Sequence, residues 1–294
     1  MSKTSDMIRK SFKEGDDQRD AGLTTPDNIK RYDDIAYGDD TDWQVLDVYR
    51  PKEAEGKKLP VIVSVHGGGW VYGDKERYQY YCMSLAQHGF AVVNFTYRLA
   101  PEFKFPAAIE DANLVFHWVF EHAEQYGFDT DHVFCVGDSA GAQQLALYTA
   151  ICTNPEYAFK FDFQVPAGFV PKAIALNCGV YLSARDDSMD ETTMALMADY
   201  LPHGGTEEEL EMVGAVNHIT EAYPPVFYMT CTGDFLQPQA FILEEKLIEK
   251  KIPHEFHFYG DAKHELGHVF HCNMKMEEAI RCNKDECDFF HKFL

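Results

Sequence analysis

Asp131-His132-Val133-Phe134-Cys135-Val136-Gly137-Asp138-Ser139-Ala140-Gly141 is the stretch whose reading decides the fold. Residues 131–136 are a short apolar run of the kind a buried strand makes, and residues 140–151 are rich in alanine and leucine, as a helix is. Between them lies Gly137-Asp138-Ser139-Ala140-Gly141, a G-x-S-x-G pentapeptide. Alone, that pattern also fits an ordinary βα turn with a serine cap. Between a strand and a helix it describes a nucleophile elbow, a cramped turn that pushes the serine out at the carboxyl edge of a sheet. The helix behind the serine has unpaired N–H groups at its start, which favour negative charge developing there.

A second motif stands upstream. His66-Gly67-Gly68-Gly69-Trp70 follows the apolar run Leu59 to Val65. Acyl transfer places charge on a carbonyl oxygen, and fixed N–H donors must be aimed at it. Consecutive glycines let bare backbone approach a substrate in dihedrals closed to other residues. The donors expected here are the amides of Gly67, Gly68 and Ala140, with His66 orienting the loop. The loop lacks the Lys-Ser/Thr of a phosphate-binding P-loop and the spacing of a dinucleotide fingerprint.

Outward from these motifs, strands and helices take turns. Strands are expected at 43–49, 60–66, 91–97, 132–137, 172–179, 225–232 and 254–259, with helices near 76–88, 107–123, 139–152, 237–251 and 274–293. Such alternation implies a mostly parallel sheet covered on both faces. Residues 1 to about 40 are charged and turn-rich and read as a short helical lead-in. Residues 153–170 read as an insertion, and 183–221 separate two strands by more than a crossover needs. The 1–40 and 183–221 segments are expected to cap the mouth of the site, within a single domain spanning 1–294.

Composition narrows the function classes. At 294 residues and 46% hydrophobic content the chain can bury one large core. A net charge of −22 argues against nucleic acid or an anionic membrane as partner. The first ten residues contain no apolar run of signal-peptide type, so a cytoplasmic location is expected. The eight cysteines (82, 135, 152, 178, 231, 272, 282 and 287) then read as reduced thiols, several within apolar runs.

A serine hydroxyl needs a base to take its proton and a carboxylate to hold that base in the right tautomer. In this chain order the acid and then the histidine follow the serine. Asp234 lies just past the apolar strand Pro225 to Cys231, at the carboxyl edge. For the base, residues 261–271 offer His264, His268 and His271. A metal site made of these histidines and Cys272 is disfavoured, because no carboxylate–water pattern accompanies it.

These residues, with Tyr97-Arg98-Leu99-Ala100-Pro101-Glu102, Phe105-Pro106-Ala107-Ala108 and Asp111, resemble the hormone-sensitive-lipase-like branch of the α/β-hydrolase fold, its carboxylesterases and acetyl esterases. The resemblance runs from about residue 43 to the C-terminus. It implies an α/β-hydrolase with a mostly parallel eight-stranded sheet, helices on both faces and a small cap. It also implies a Ser139, Asp234 and histidine triad, with Arg98 and Glu102 tying loops beneath the site. The family places its histidine in an H-G-F triplet, and His268-Val269-Phe270 is the nearest match, so His268 is the expected base and His264 the alternative. Trp70 and Tyr72 are expected to line the pocket. The activity implied is hydrolysis of short-chain, above all acetyl, carboxylic esters of small molecules through an acyl-enzyme. No cofactor or metal is expected, and a homodimer is plausible within the family. Aryl-formamide hydrolysis is the alternative chemistry, and a non-catalytic ligand receptor the alternative class.

Overall fold

The structure is a computed structural model and describes residues 2–181 and 191–294. Eight strands form one sheet in the order β1-β2-β4-β3-β5-β6-β7-β8. They are β1 (Ile29–Ala36), β2 (Val45–Pro51), β3 (Leu59–Val65), β4 (Ala91–Phe95), β5 (Phe128–Asp138), β6 (Ile174–Asn177), β7 (Val226–Cys231) and β8 (His254–Tyr259). Only β1 with β2 and β2 with β4 pair antiparallel; every other neighbour is parallel.

The alternation of side chains along a strand divides the core in two. Val61, Val63 and Val65 of β3 and Cys135 of β5 face one apolar layer, whereas Ile62, Phe134 and Val136 face the other. The first layer is closed by α3 (Ala107–Glu121), α5 (Ala140–Thr153) and α9 (Gln237–Glu249), the second by α2 (Lys75–Ala86) and α10 (Glu277–His291). Near-continuous apolar strands are what burial on both faces demands. Two one-turn helices, α4 (Ala123–Tyr126) and α6 (Pro155–Ala158), fill the connections around α3 and α5.

The N-terminal lead-in holds more than a helix. After α1 (Lys3–Asp20), residues 29–36 form the edge strand β1, so they belong to the sheet and not to the expected cap. Its sequence, I-K-R-Y-D-D-I-A, hides the strand because an edge that faces water carries charges and a bulge instead of an apolar repeat. Of the 183–221 span, residues 183–190 lie outside the described residues; the remainder includes α7 (Glu191–Tyr200) and α8 (Glu207–Val213).

Helix α1 lies against α7 and the glycine loop. Ser2 and Ser5 hydrogen-bond the Asp199 carboxylate, and Arg9 donates to the Val71 and Ala100 carbonyls at 2.7 and 2.9 Å. Arg9 also pairs with Glu102 at 2.6 Å, while Arg98 engages Asp111 and Glu110 at 2.9 and 3.0 Å. Arg98 and Glu102 thus tie segments together as the resemblance implied, with α1 as one of them.

Candidate active site

Ser139 stands between β5 and α5 with φ 51° and ψ −121°, a conformation that a non-glycine residue holds only under tight constraint. The flanking glycines supply the constraint. A Cβ on Gly141 would overlap the carbonyl oxygens of Val65 and His66, where the helix start runs against the end of β3. The serine's own amide donates to the Asn177 carbonyl at 2.9 Å, fixing the turn to β6.

His268 Nε2 lies 3.0 Å from Ser139 Oγ, and His268 Nδ1 lies 2.7 Å from Asp234 Oδ1. An ionised carboxylate only accepts, so Nδ1 carries the proton and donates to Asp234. Nε2 is then left to accept from the serine hydroxyl. Asp234 is itself gripped: Thr230 donates to its Oδ2 at 2.6 Å and the Leu236 amide to its Oδ1 at 2.9 Å. Burial alone would raise its pKa, but His268 together with the Thr230 and Leu236 donors outweighs burial and holds it below the ordinary value. The Phe235 ring covers the imidazole at 4.4 Å between centroids.

The other two histidines go elsewhere. His264 Nε2 pairs with Glu278 Oε1 at 3.0 Å, on the first turn of α10. His271 is fully buried, its pKa pushed down to about 3 by burial, with its ring edge-on to Tyr81. Potential ligating atoms of Asp138, His271 and Cys272 lie within 4.8 Å of one another, as do those of Cys178, Asp234 and His268. The three histidines therefore do not converge on one site. Val269, which replaces the glycine of the family's triplet, sits at φ 53°, the left-handed region that favours glycine.

The glycine loop corrects one expectation. The Gly67 amide is already engaged, donating to Tyr78 Oη at 3.0 Å and Asp138 Oδ1 at 3.2 Å, so it is not available to an oxyanion. Tyr78 in turn donates to Asp138 Oδ2 at 2.7 Å. Among the described residues no hydrogen bond uses the amides of Gly68, Gly69 or Ala140. Gly68 adopts φ 122°, and a Cβ there would overlap the Tyr72 carbonyl. His66 is buried and stacked on Tyr97 at 3.9 Å, with Nδ1 donating to the Gly67 carbonyl at 2.8 Å. Burial depresses its pKa to about 4, so it stays neutral and serves to shape the loop.

Trp70 and Tyr72 anchor this loop. Trp70 is buried, stacks on Tyr200 of α7 and donates to Gln143 Oε1 at 2.9 Å, so its ring packs the loop. Tyr72 donates to Asp16 at 2.9 Å and meets Phe12 edge-on, seating α1. Leu196 of α7 reaches the loop, its Cδ1 3.7 Å from where a Cβ on Gly69 would lie. Sequence reasoning passed over Thr230, Tyr78, Gly69 and Leu196. Only Gly69 had a signal, as the third glycine of the run.

A serine at a strained strand–helix turn, joined through histidine to a carboxylate at the carboxyl edge of a mostly parallel sheet, defines an α/β-hydrolase of the carboxylesterase class. Relatives agree. Versiconal hemiacetal acetate esterase of Dothistroma septosporum is 27% identical over 244 residues, 79% of this chain and 73% of the relative. Esterase LipQ of Mycobacterium tuberculosis is 28% identical over 212 residues, 70% of this chain but only 50% of LipQ. Esterase B of Lactobacillus rhamnosis, in complex with a C6-C4 inhibitor, superposes with a TM-score of 0.89 at 24% identity, over 99% of this chain and 97% of that one. The chain belongs to the BD-FAE family, whose model matches residues 46–247.

Proposed function

We propose that the protein hydrolyses short-chain acyl esters, acetyl esters foremost, through an acyl-enzyme on Ser139. The observation that carries this reading is the unbroken chain Asp234–His268–Ser139, with links of 2.7 and 3.0 Å. His268 takes the serine proton as Oγ attacks the ester carbonyl. The oxyanion rests on the amides of Gly68, Gly69 and Ala140, and the alcohol leaves with the proton from the imidazolium. Water then attacks the acyl-serine by the same route and releases the acid.

The preference for short acyl groups rests on two supports. Leu196 of α7 stands beside Gly69 of the oxyanion loop, its Cδ1 3.7 Å from where a Cβ there would lie, and α1 and α7 act as the cap. One relative is named for an acetate ester, and a second, ethyl acetate hydrolase of Pseudomonas putida, is 38% identical over 96 residues. All eight cysteines are free of disulfides, which suits a reducing compartment. No helix among the described residues is long and apolar enough to cross a membrane.

Rates on p-nitrophenyl esters from acetate to decanoate test the proposal, with Ser139→Ala beside the wild type. Turnover should peak at acetate to butyrate and vanish in the variant. A peak at octanoate or longer would overturn the acyl preference, and wild-type rates in Ser139→Ala would overturn the mechanism.

A further inference from the structure

At the edge of the sheet opposite Ser139, a cavity of about 440 Å³ opens between the start of β1, the end of β2, the loop before β3 and the turn into β5. β3 alone, seven residues at about 3.3 Å each, puts it roughly 20 Å from the catalytic edge. Its lining is unusual for this protein. Four cations (Lys30, Arg50, Lys57 and Lys58) face two carboxylates, in a chain whose net charge is −22. One of those carboxylates, Glu55, is already held by Lys30 at 2.9 Å.

Arg50 is the decisive residue. It is only 7% exposed, yet no acidic side chain among the described residues pairs with it. By contrast Arg9, Arg19, Arg31, Arg77 and Arg98, all less buried, each sit on a carboxylate. A guanidinium has five N–H donors. Nη2 of Arg50 donates to the Lys57 carbonyl at 2.6 Å and the Ala54 carbonyl at 3.3 Å, while no described residue accepts from Nε or Nη1. Burial lowers its pKa, and only Tyr32 acts in the other direction. A buried, charged group without a counter-charge is costly unless something supplies one. Gly127 is shaped to the same group: a Cβ there would overlap Nη1. Beside the guanidinium stand Tyr32 and Tyr126, packed edge to face at 5.2 Å, which give the cavity an aromatic wall.

We propose that this cavity is a binding site for a small organic oxyanion, a phosphate monoester or carboxylate whose acid group meets Arg50 and whose apolar body lies on Tyr32 and Tyr126. A donor left on the guanidinium, at Nε or Nη1, offers a charge-assisted hydrogen bond to an oxygen of such a group. Lys57 and Lys58, exposed and without carboxylate partners among the described residues, attract it from solvent. The site is independent of the serine centre and holds whatever that centre hydrolyses.

Phenyl phosphate, inorganic phosphate and benzoate, each titrated calorimetrically into the full chain, test the site. Phenyl phosphate should bind saturably and more tightly than inorganic phosphate, because only the former uses the tyrosine wall; benzoate tests the carboxylate arm. Arg50→Gln should weaken binding at least about tenfold, as loss of a charge-assisted pair does. Should Arg50→Gln fail to fold, the exposed double variant Lys57→Ala/Lys58→Ala should weaken binding by about threefold or more and flatten its salt dependence, with ester hydrolysis unchanged. Absence of saturable binding by all three probes to about 20 mM, some 2.3 kcal/mol at the 1 M standard state, would overturn the proposal. So would binding that neither variant alters, or that only competes with ester at Ser139.

Discussion

Glu286 on α10 is fully buried, with Oε2 accepting from Tyr81 Oη at 2.9 Å and Oε1 from Asn177 Nδ2 at 3.1 Å. Burial is the largest influence on it and pushes its pKa from 4.5 to about 7, with the Asp138 charge adding to the rise and the two hydrogen bonds opposing it. The folded protein therefore keeps this proton up to about pH 7, whereas the unfolded chain loses it near 4.5. More protons are bound in the folded state across that window, so stability falls as pH rises through it. Below it, both states are protonated and there is no penalty. At about 1.4 kcal/mol per pH unit the full penalty above neutral pH is about 3 kcal/mol, as an upper figure. Glu286→Gln removes the charge and keeps the shape: Gln Oε1 can take the Tyr81 proton, and its amide can donate to Asn177 Oδ1, which has no partner now, once that side chain flips. At about 2.1 cal/mol/K per residue of unfolding entropy, a 294-residue chain gains roughly 5 °C for that free energy. Thermal unfolding followed by circular dichroism should show the variant melting about 4–6 °C above wild type at pH 8 and level with it at pH 4.5. An equal shift at both pH values, or a lower melting temperature at pH 8, would refute the buried-charge reasoning.

Other outcomes follow from the site. Thr230→Val removes the hydroxyl on Asp234 Oδ2; kcat should fall by about 10- to 150-fold, the worth of one hydrogen bond to a charged group, with KM little changed. Gly141→Ala places a methyl against the carbonyls of Val65 and His66; the elbow cannot form, and soluble yield and melting temperature should both drop sharply. Tyr78→Phe releases the Gly67 amide and one acceptor bond of Asp138; kcat on p-nitrophenyl acetate should fall by about tenfold as the oxyanion loop loosens, while covalent labelling of Ser139 persists.

How legible this was depended on which rule each residue obeyed. β3, β5 and β7 were readable because burial on both faces writes an apolar run, and β8, the half-exposed far edge of the sheet, falls at 254–259 as expected. β1 was not, since an edge strand obeys the opposite rule and carries charge. Ser139 and Asp234 were readable from their places at strand ends. His268 could be chosen over His264 only through the H-x-F triplet, because the spacing from Asp234 favours His264. Gly67 was misassigned because a motif states which residues have bare backbone and not which amides are already bonded. That depended on Tyr78, eleven residues on and unmarked in sequence. Arg50 likewise has no motif; what sets it apart is that, among the described residues, no carboxylate pairs with it.

The most direct test of the serine centre is intact-mass measurement of a p-nitrophenyl phosphonate adduct on wild type, Ser139→Ala, His268→Ala and His264→Ala. One adduct should form rapidly on wild type and His264→Ala, at least about 10³-fold more slowly on His268→Ala, and not at all on Ser139→Ala. Labelling of Ser139→Ala, or a His268→Ala rate equal to wild type, would contradict Ser139 as nucleophile with His268 as its base.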